Sequence, residues 1–352
     1  MHLNLIAPIG ETGYGVAGWN IFKALNGQGH AVALFPRSPN TQAEKAGLVG
    51  RGLDNAKKFR YDAPSINIWH QYDLAYKIGN GPSFGFPFFE LDRLEDHEVH
   101  HINYPDHLIV ASKWAKKIVD KYRDGPTSVV PLGIDPNIFL PAQYEFNGDR
   151  PYTFLNVGKW EVRKGHDVLS TMFNKAFTPK DNVELWLLPG TKYFDKAAIH
   201  KWTRSYMDTP MGMAGKIKIF GWQPSVFDLL KRADCGIFPA RAEGWNLELL
   251  EMMAIGKPVI ATNYSAHTEF CTPDNSFLVD ISSTEEAFDG NWFFGQGKWA
   301  RMSPVVINRF CDYLGYCYEN KIVNNPAGIE TGKLFTWDNT ASELMKVIKG
   351  HR

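Results

Sequence analysis

Apolar positions along the chain follow two periods that take turns. Short apolar runs bounded by Gly, Pro and polar residues read as buried strands: His2 to Ala7, Ala31 to Phe35, Ser65 to His70, Ser83 to Glu90 and His107 to Ser112 in the first half. In the second half the same signal falls at Tyr152 to Val157, Val183 to Gly190, the KIKIF and CGIF runs, and Lys257 to Thr262. Helical spacing appears between them: after the Gly-rich loop through Leu25, in KWAKKIVDKY behind Ser112, from about Gly165, and over Leu247, Leu250, Met253 and Ala254. Pro304 to Glu319 and Trp337 to Lys349 read as further helices. Strands alternating with helices in both halves predict an α/β chain built on parallel sheets. Arg37 to Tyr61 is polar and Gly-rich with little periodicity, so no element is assigned there.

At 352 residues the chain has room for two domains. Pro136 to Arg150 carries Pro, Asn and Gly without periodicity and marks the boundary. The expected division is residues 1–140, residues 141–335, and a last helix in 336–352 that packs back across the interface. Lys plus Arg equal Asp plus Glu at 38 each, so no net field recruits nucleic acid or anionic lipid. The first residues lack a basic leader and no apolar run is long enough for a membrane span, which points to a cytoplasmic protein. Four cysteines without CxxC spacing, one of them Cys235 in an expected buried strand, fit reduced thiols. His97, His100 and His101 share helical spacing, but no acidic third ligand is placed with them, and a solvated helix face is the better reading.

Candidate chemistry centres on RAEGWNLELLEMMAIGKP, where Glu243 and Glu251 stand eight positions apart. Asn246 is a favoured N-cap, so Glu251 lies on the helix and Glu243 in the loop entering it. Two carboxylates facing one cleft suit the hydroxyls of a ribose or hexose, while Glu248 and Glu251 also read as a solvated helix face. In GKWEVRKG, Lys159, Arg163 and Lys164 crowd positive charge at the carboxyl end of a strand, suited to a diphosphate or to solvent. The loop holding Gly10, Gly13, Gly15 and Gly18 joins strand to helix like the start of a Rossmann-like unit. Its spacing is not GxGxxG, and a permissive turn explains it equally well. His70 and Glu90 end two expected strands, where ligands of open α/β sheets collect.

The ordered set GKWEVRKG, IFGW, EGWNLELLE and GKPVIAT resembles the nucleotide-sugar half of the retaining GT-B glycosyltransferases of family 4, also called group 1. The resemblance is strong over residues 152–280, moderate over 127–135 and weak over 1–35. It implies two Rossmann-like domains facing each other across a cleft, an acceptor domain first and a nucleotide-sugar domain second. It implies Glu243 on the donor sugar, Glu251 on the ribose, Lys159 and Lys164 with Arg163 on the diphosphate, Gly13 and Gly15 near the diphosphate and acceptor, and Gly221 and Trp222 on the base. Trp222 reads equally as core. The chain departs from the family pattern at Lys159, where relatives carry Arg, at Glu90, where many carry His, and at Ser265, Ala266 and His267, where relatives turn on small Gly residues.

The implied activity is metal-independent transfer of a sugar from a nucleotide diphosphate sugar, UDP- or GDP-linked first, to an acceptor hydroxyl. The family's leaving phosphate takes the acceptor's proton, so Glu243 binds sugar rather than attacking it. Acceptors left open are a saccharide, a lipid-linked saccharide, a small molecule, or a hydroxymethylated DNA base, for which the basic helix Lys113 to Arg123 would track phosphates. Other readings are a catalytically silent sugar-nucleotide module and a Rossmann oxidoreductase; the second lacks an acidic residue where Pro36 and Arg37 stand. Oligomeric state leaves no mark in the sequence.

Overall fold

The computed structural model describes residues 1–39, 43–190, 194–223 and 225–351, with the backbone alone at 38, 39 and 43–45. The chain divides into two units, Met1–Asp135 with Leu334–Arg352, and Pro136–Lys333. The first holds β1 (His2–Ile9), α1 (Gly13–Gly27), β2 (Ala31–Pro39), α2 (Ala43–Ala56), β3 (Ser65–Asn67), β4 (Ser83–Gly85), α3 (Asp96–Asn103), β5 (His107–Val110), α4 (Lys113–Val119) and β6 (Thr127–Val129). Its six strands form one parallel sheet in the order β2-β1-β3-β4-β5-β6. Every residue of β1 after His2 is buried, because a parallel sheet is covered on both faces; the one polar side chain among them, Asn4, donates to Arg60 O at 2.9 Å. Ser112 caps α4 as expected, its Oγ accepting from the Ala115 amide at 3.1 Å.

Two expectations change in this unit. The strands read from SINIWH and SFGFPFFE are three residues each, since the chain leaves the ladder after the Ile68 amide bonds Ile6 and the Phe86 amide bonds Asn67. The stretch left unassigned at Arg37 to Tyr61 contains α2; its residues 40–42 lie outside the described chain. Of the three glycines that weaken the helical signal there, Gly52 has a packing reason. A Cβ on Gly52 would stand 2.7 Å from Phe22 Cζ and 2.8 Å from Leu34 Cβ, so glycine lets α2 close onto α1 and β2.

The second unit holds β7 (Tyr152–Val157), α5 (His166–Ala176), β8 (Val183–Leu188), α6 (Lys196–Met207), α7 (Pro210–Met213), β9 (Ile217–Ile219), α8 (Val226–Arg232), β10 (Cys235–Phe238), α9 (Leu247–Ala254), β11 (Val259–Asn263) and β12 (Phe277–Asp280). There follow β13 (Thr284–Phe288), β14 (Phe294–Ala300), α10 (Pro304–Glu319) and α11 (Pro326–Leu334). Six strands form a second parallel sheet, β12-β11-β10-β7-β8-β9. Its core packs Phe154, Leu185, Ile237 and Ile260 of the sheet with Phe173 of α5 and Phe310 of α10. The aromatic, Gly-rich stretch after Asp280 is an antiparallel hairpin, β13 with β14.

The last helix, α12 (Trp337–Gly350), belongs to the first unit. Thr340 Oγ1 donates to Pro131 O at 2.8 Å, and the Gln28 side chain, just past the end of α1, reaches Ser342 Oγ at 3.0 Å. All four cysteines are thiols, Cys235 buried in β10. No helix among the described residues is long and apolar enough to cross a membrane.

Candidate active site

The carboxyl ends of β7 and β10 carry the charged cluster. Residues 158–165 leave β7 and end at Gly165, which has φ 81° and caps α5. A Cβ there would lie 2.2 Å from the Pro239 carbonyl, so the loop and the segment after β10 meet only because residue 165 is glycine. Ion pairs then stitch them together. Arg241 makes a two-pronged pair with Asp167 at 2.7 and 2.8 Å, and its amide donates to Arg163 O at 2.7 Å.

Glu243 sits where these segments converge, 4% exposed. Lys164 Nζ is 2.7 Å from its Oε1, and Arg163 donates to its Oε2 at 2.9 Å. Arg163 also bonds Glu161 at 2.8 Å and the Ala242 carbonyl at 2.9 Å, and Lys159 stands 3.8 Å from Glu161. Burial by itself pushes the Glu243 carboxyl up, but Lys164 and then Arg163 outweigh it and hold it at about 2. The residue is therefore an anion at any physiological pH. The same pair keeps Lys164 charged: burial disfavours its ammonium, yet Glu243 and Glu248 raise it above the usual lysine value.

Glu251 stands apart from this clamp, on α9. No cation among the described residues lies within ion-pair reach of it, and burial, helped by Glu248 one turn earlier, raises its carboxyl to about 8. Near neutral pH it is largely protonated, so it offers a donor as well as an acceptor. Gly221 and Trp222 follow β9, two strands from β7, at the same carboxyl edge. Trp222 is 75% exposed and so is not core.

Three residues of the second unit take roles in the site that their spacing did not assign, two of them in the turn already noted as a departure from the family pattern. Ser265, at φ 54° in the left-handed region, accepts the Glu243 amide on its Oγ at 2.8 Å. His267 is fully buried, with Nδ1 3.0 Å from Thr262 O and Nε2 2.9 Å from Asn246 Nδ2. Those partners fix a neutral ring, protonated at Nδ1, and burial lowers its pKa accordingly. Asn246 caps α9 as expected through Leu249, at 3.3 Å, but its φ of 83° and its bond to His267 were not legible. The third is Glu161, visible in GKWEVRKG but read only as spacing.

The first unit gathers its own candidates at the carboxyl ends of β1, β3 and β4. Tyr14, between Gly13 and Gly15, is half-buried; its hydroxyl donates to Phe88 O at 2.6 Å and accepts the Phe88 amide at 2.8 Å. The His70 ring lies 4.4 Å from Tyr14 and stacks on Tyr72 at 5.0 Å, and Glu90 acts electrostatically on both tyrosines. His70 and Glu90 thus share one neighbourhood through Tyr14, which the sequence reading passed over. Gly15 is required by packing, since a Cβ would lie 2.7 Å from Gly10 N, whereas Gly13 opens α1 with space around it.

Residues 151–290 match the family described as glycosyl transferases group 1. That match lies within the second unit, which is similar to the group 1 glycosyl transferases. In sequence the chain is 27% identical over 145 residues, 41% of its length, to the lipopolysaccharide core biosynthesis glycosyltransferase LpsE of Rhizobium meliloti. That match spans 39% of LpsE, and the chain spans 40% of a glycosyltransferase of Methanocaldococcus jannaschii. In structure it is similar to the sucrose-phosphate synthase of Thermosynechococcus elongatus, with TM-score 0.72 at 16% identity over 99% of this chain and 98% of that one. The HepE protein of Anabaena in complex with UDP and glucose gives TM-score 0.70 at 14% identity over 99% of both chains. The expected GT-B class of α/β fold is borne out.

Proposed function

We propose that the chain transfers a sugar, with retention at the anomeric carbon and without a metal, from a nucleotide diphosphate sugar to an acceptor hydroxyl. The observation that carries this reading is Glu243, a buried carboxylate kept ionised by Lys164 and Arg163 at the carboxyl end of a parallel sheet. An ionised carboxylate accepts from two sugar hydroxyls at once and orients the ring without attacking it. Lys159, 43% exposed in its side chain, and Lys164 answer the charge that develops on the leaving diphosphate. Arg163, enclosed between Glu161 and Glu243, acts as a positioning residue for the carboxylate. Glu251 meets the ribose diol with a protonated carboxyl, and Gly221 with Trp222 faces the base. Crystals of HepE with UDP and glucose make UDP the first nucleotide to try.

For the acceptor we favour a saccharide. The Tyr72 ring, 46% exposed and stacked on His70 beside Glu90, offers a sugar both an aromatic face and an acceptor of hydroxyl protons. The relative named for lipopolysaccharide core biosynthesis supports a saccharide over a DNA base.

A thermal shift screen against UDP, GDP, ADP and their sugar conjugates tests the donor half, because a ligand that binds only the folded state raises apparent stability. The expected result is a rise with one nucleotide family, lost in Glu251→Ala. A chain that responds to none of them does not use this site for nucleotide sugars, and a response to NAD alone replaces the reading with an oxidoreductase. The anomeric configuration of the product, read by NMR, decides retention.

A further inference from the structure

The opposite edge of the second sheet holds a cavity of about 310 Å³, at the lower end of the range for small-molecule sites. Its lining comes from the amino ends of the strands: Arg150 before β7, Glu184 and Trp186 at the start of β8, Lys231 and Arg232 before β10, and Lys257 before β11. Strands of up to six residues separate it from the Glu243 loop, a length of about 20 Å.

Positive charge gathers there beyond what the protein answers. Arg150 is matched by Asp234, which it grips at 2.5 and 2.6 Å. Lys231 and Arg232 lie over the rings of Phe227 and Trp186, at 5.2 and 5.1 Å, and neither reaches a carboxylate among the described residues. Lys257 is the most telling. It is 1% exposed, its ammonium stands 3.2 Å above the Tyr144 ring, and no carboxylate among the described residues lies within ion-pair distance. A ring face is a weak replacement for the water a buried ammonium has given up. Burial accordingly pushes this lysine down to about 7, with Asp234 offsetting only part.

The cavity is not uniformly basic. Glu145 and Glu184 also line it, the latter accepting from Trp186 Nε1 at 2.8 Å. A site for a bare anion would have no use for them, whereas hydroxyl groups donate to carboxylates. The volume likewise exceeds what an inorganic phosphate fills. We propose that this cavity is a second ligand site, taking a phosphorylated sugar with its phosphate against the exposed Lys231 and Arg232, near the buried Lys257, and its hydroxyls against Glu145 and Glu184.

Isothermal titration calorimetry of the full chain with glucose 6-phosphate, glucose 1-phosphate, orthophosphate and glucose tests the proposal. At least one hexose phosphate is expected to bind tenfold or more tighter than orthophosphate and glucose. Both substituted cations are exposed, so the Lys231→Glu/Arg232→Glu double variant keeps its fold, checked by circular dichroism, and loses that affinity at least tenfold. Lys159→Ala, altered at the other edge, retains it within about twofold. Trp186→Phe removes the change in tryptophan fluorescence that accompanies binding. No binding to the wild type, orthophosphate binding as tightly as the sugars, or affinity lost in Lys159→Ala but kept in the double variant each overturns the proposal. None of these outcomes bears on the donor assignment, which is read with nucleotides.

Discussion

Lys164 and Lys257 are both buried lysines of one sheet, at its two edges, and their chemistry diverges. Lys164, 13% exposed in its side chain, finds Glu243 at 2.7 Å and stays firmly charged. Lys257 finds a tyrosine ring, while the nearby Asp234 is already committed to Arg150, and its ammonium titrates near 7. Burial works against the charged form in both. What separates a fixed cation from a labile one is a carboxylate that nothing else has claimed.

The largest way to break this contrast is to remove that carboxylate. Glu243→Ala leaves Arg163 and Lys164 buried without their partner and is expected to lose about 3–5 kcal/mol of unfolding free energy in urea titrations. A loss below about 1 kcal/mol would mean that water already relaxes the cluster. The wild-type contribution has a defined window. The folded carboxyl titrates at about 2 and the unfolded one near its ordinary value of 4.5, so the stabilisation is complete above pH 4.5 and fades as pH falls through 2.

Lys159→Ala comes next and separates catalysis from folding. Its side chain is 43% exposed and its pairing with Glu161 is long, 3.8 Å, so the melting temperature should hold. Steady-state turnover should fall by about 10²–10³-fold, the usual loss when one group stabilising developing charge is removed. A fall in apparent donor affinity alone, with kcat intact, would assign Lys159 to binding only.

Two smaller effects have opposite pH signs. Glu251 is raised to about 8, so the folded state keeps a proton that the unfolded chain loses near 4.5, and stability falls as pH climbs between those values. Glu251→Gln should melt about 2–4 °C above wild type at pH 8 and gain nothing at pH 4. Lys257 is lowered from 10.5 to about 7, so the folded state sheds a proton that the unfolded chain retains, and stability rises with pH across that interval. Lys257→Met should gain about 1–2 °C at pH 6 and lose the advantage by pH 10, read by differential scanning calorimetry. Equal gains for either variant at all pH values would show that packing, not charge, is responsible.

The two units also differ in how far their sequence could be read. In the second, strands such as Tyr152–Val157 and the helix at Pro304–Glu319 lie where apolar runs and helical spacing put them, because long periodic segments carry many independent votes. In the first, β3 and β4 are three residues long and α2 carries three glycines, so local pattern was thin. The site divides the same way. Lys159, Lys164, Glu243 and Glu251 were legible because charge at strand ends and helix starts has a spacing. The bonds of Ser265 and His267 were not, since they reach groups 22 and 21 residues away in the chain.

By itself the sequence determined the α/β class, the strand–loop–helix order of the second unit and the charged residues at its carboxyl edge, all of which rest on interactions within a few residues. Only the tertiary structure decided which charges meet. Whether Arg163 touches ligand or Glu243, whether Glu251 is ionised, and whether four cations at the amino edge form a cavity all depend on burial and on partners brought from distant positions. Proximity of that kind sets electrostatic energies through distance and lost water, quantities that no local pattern contains.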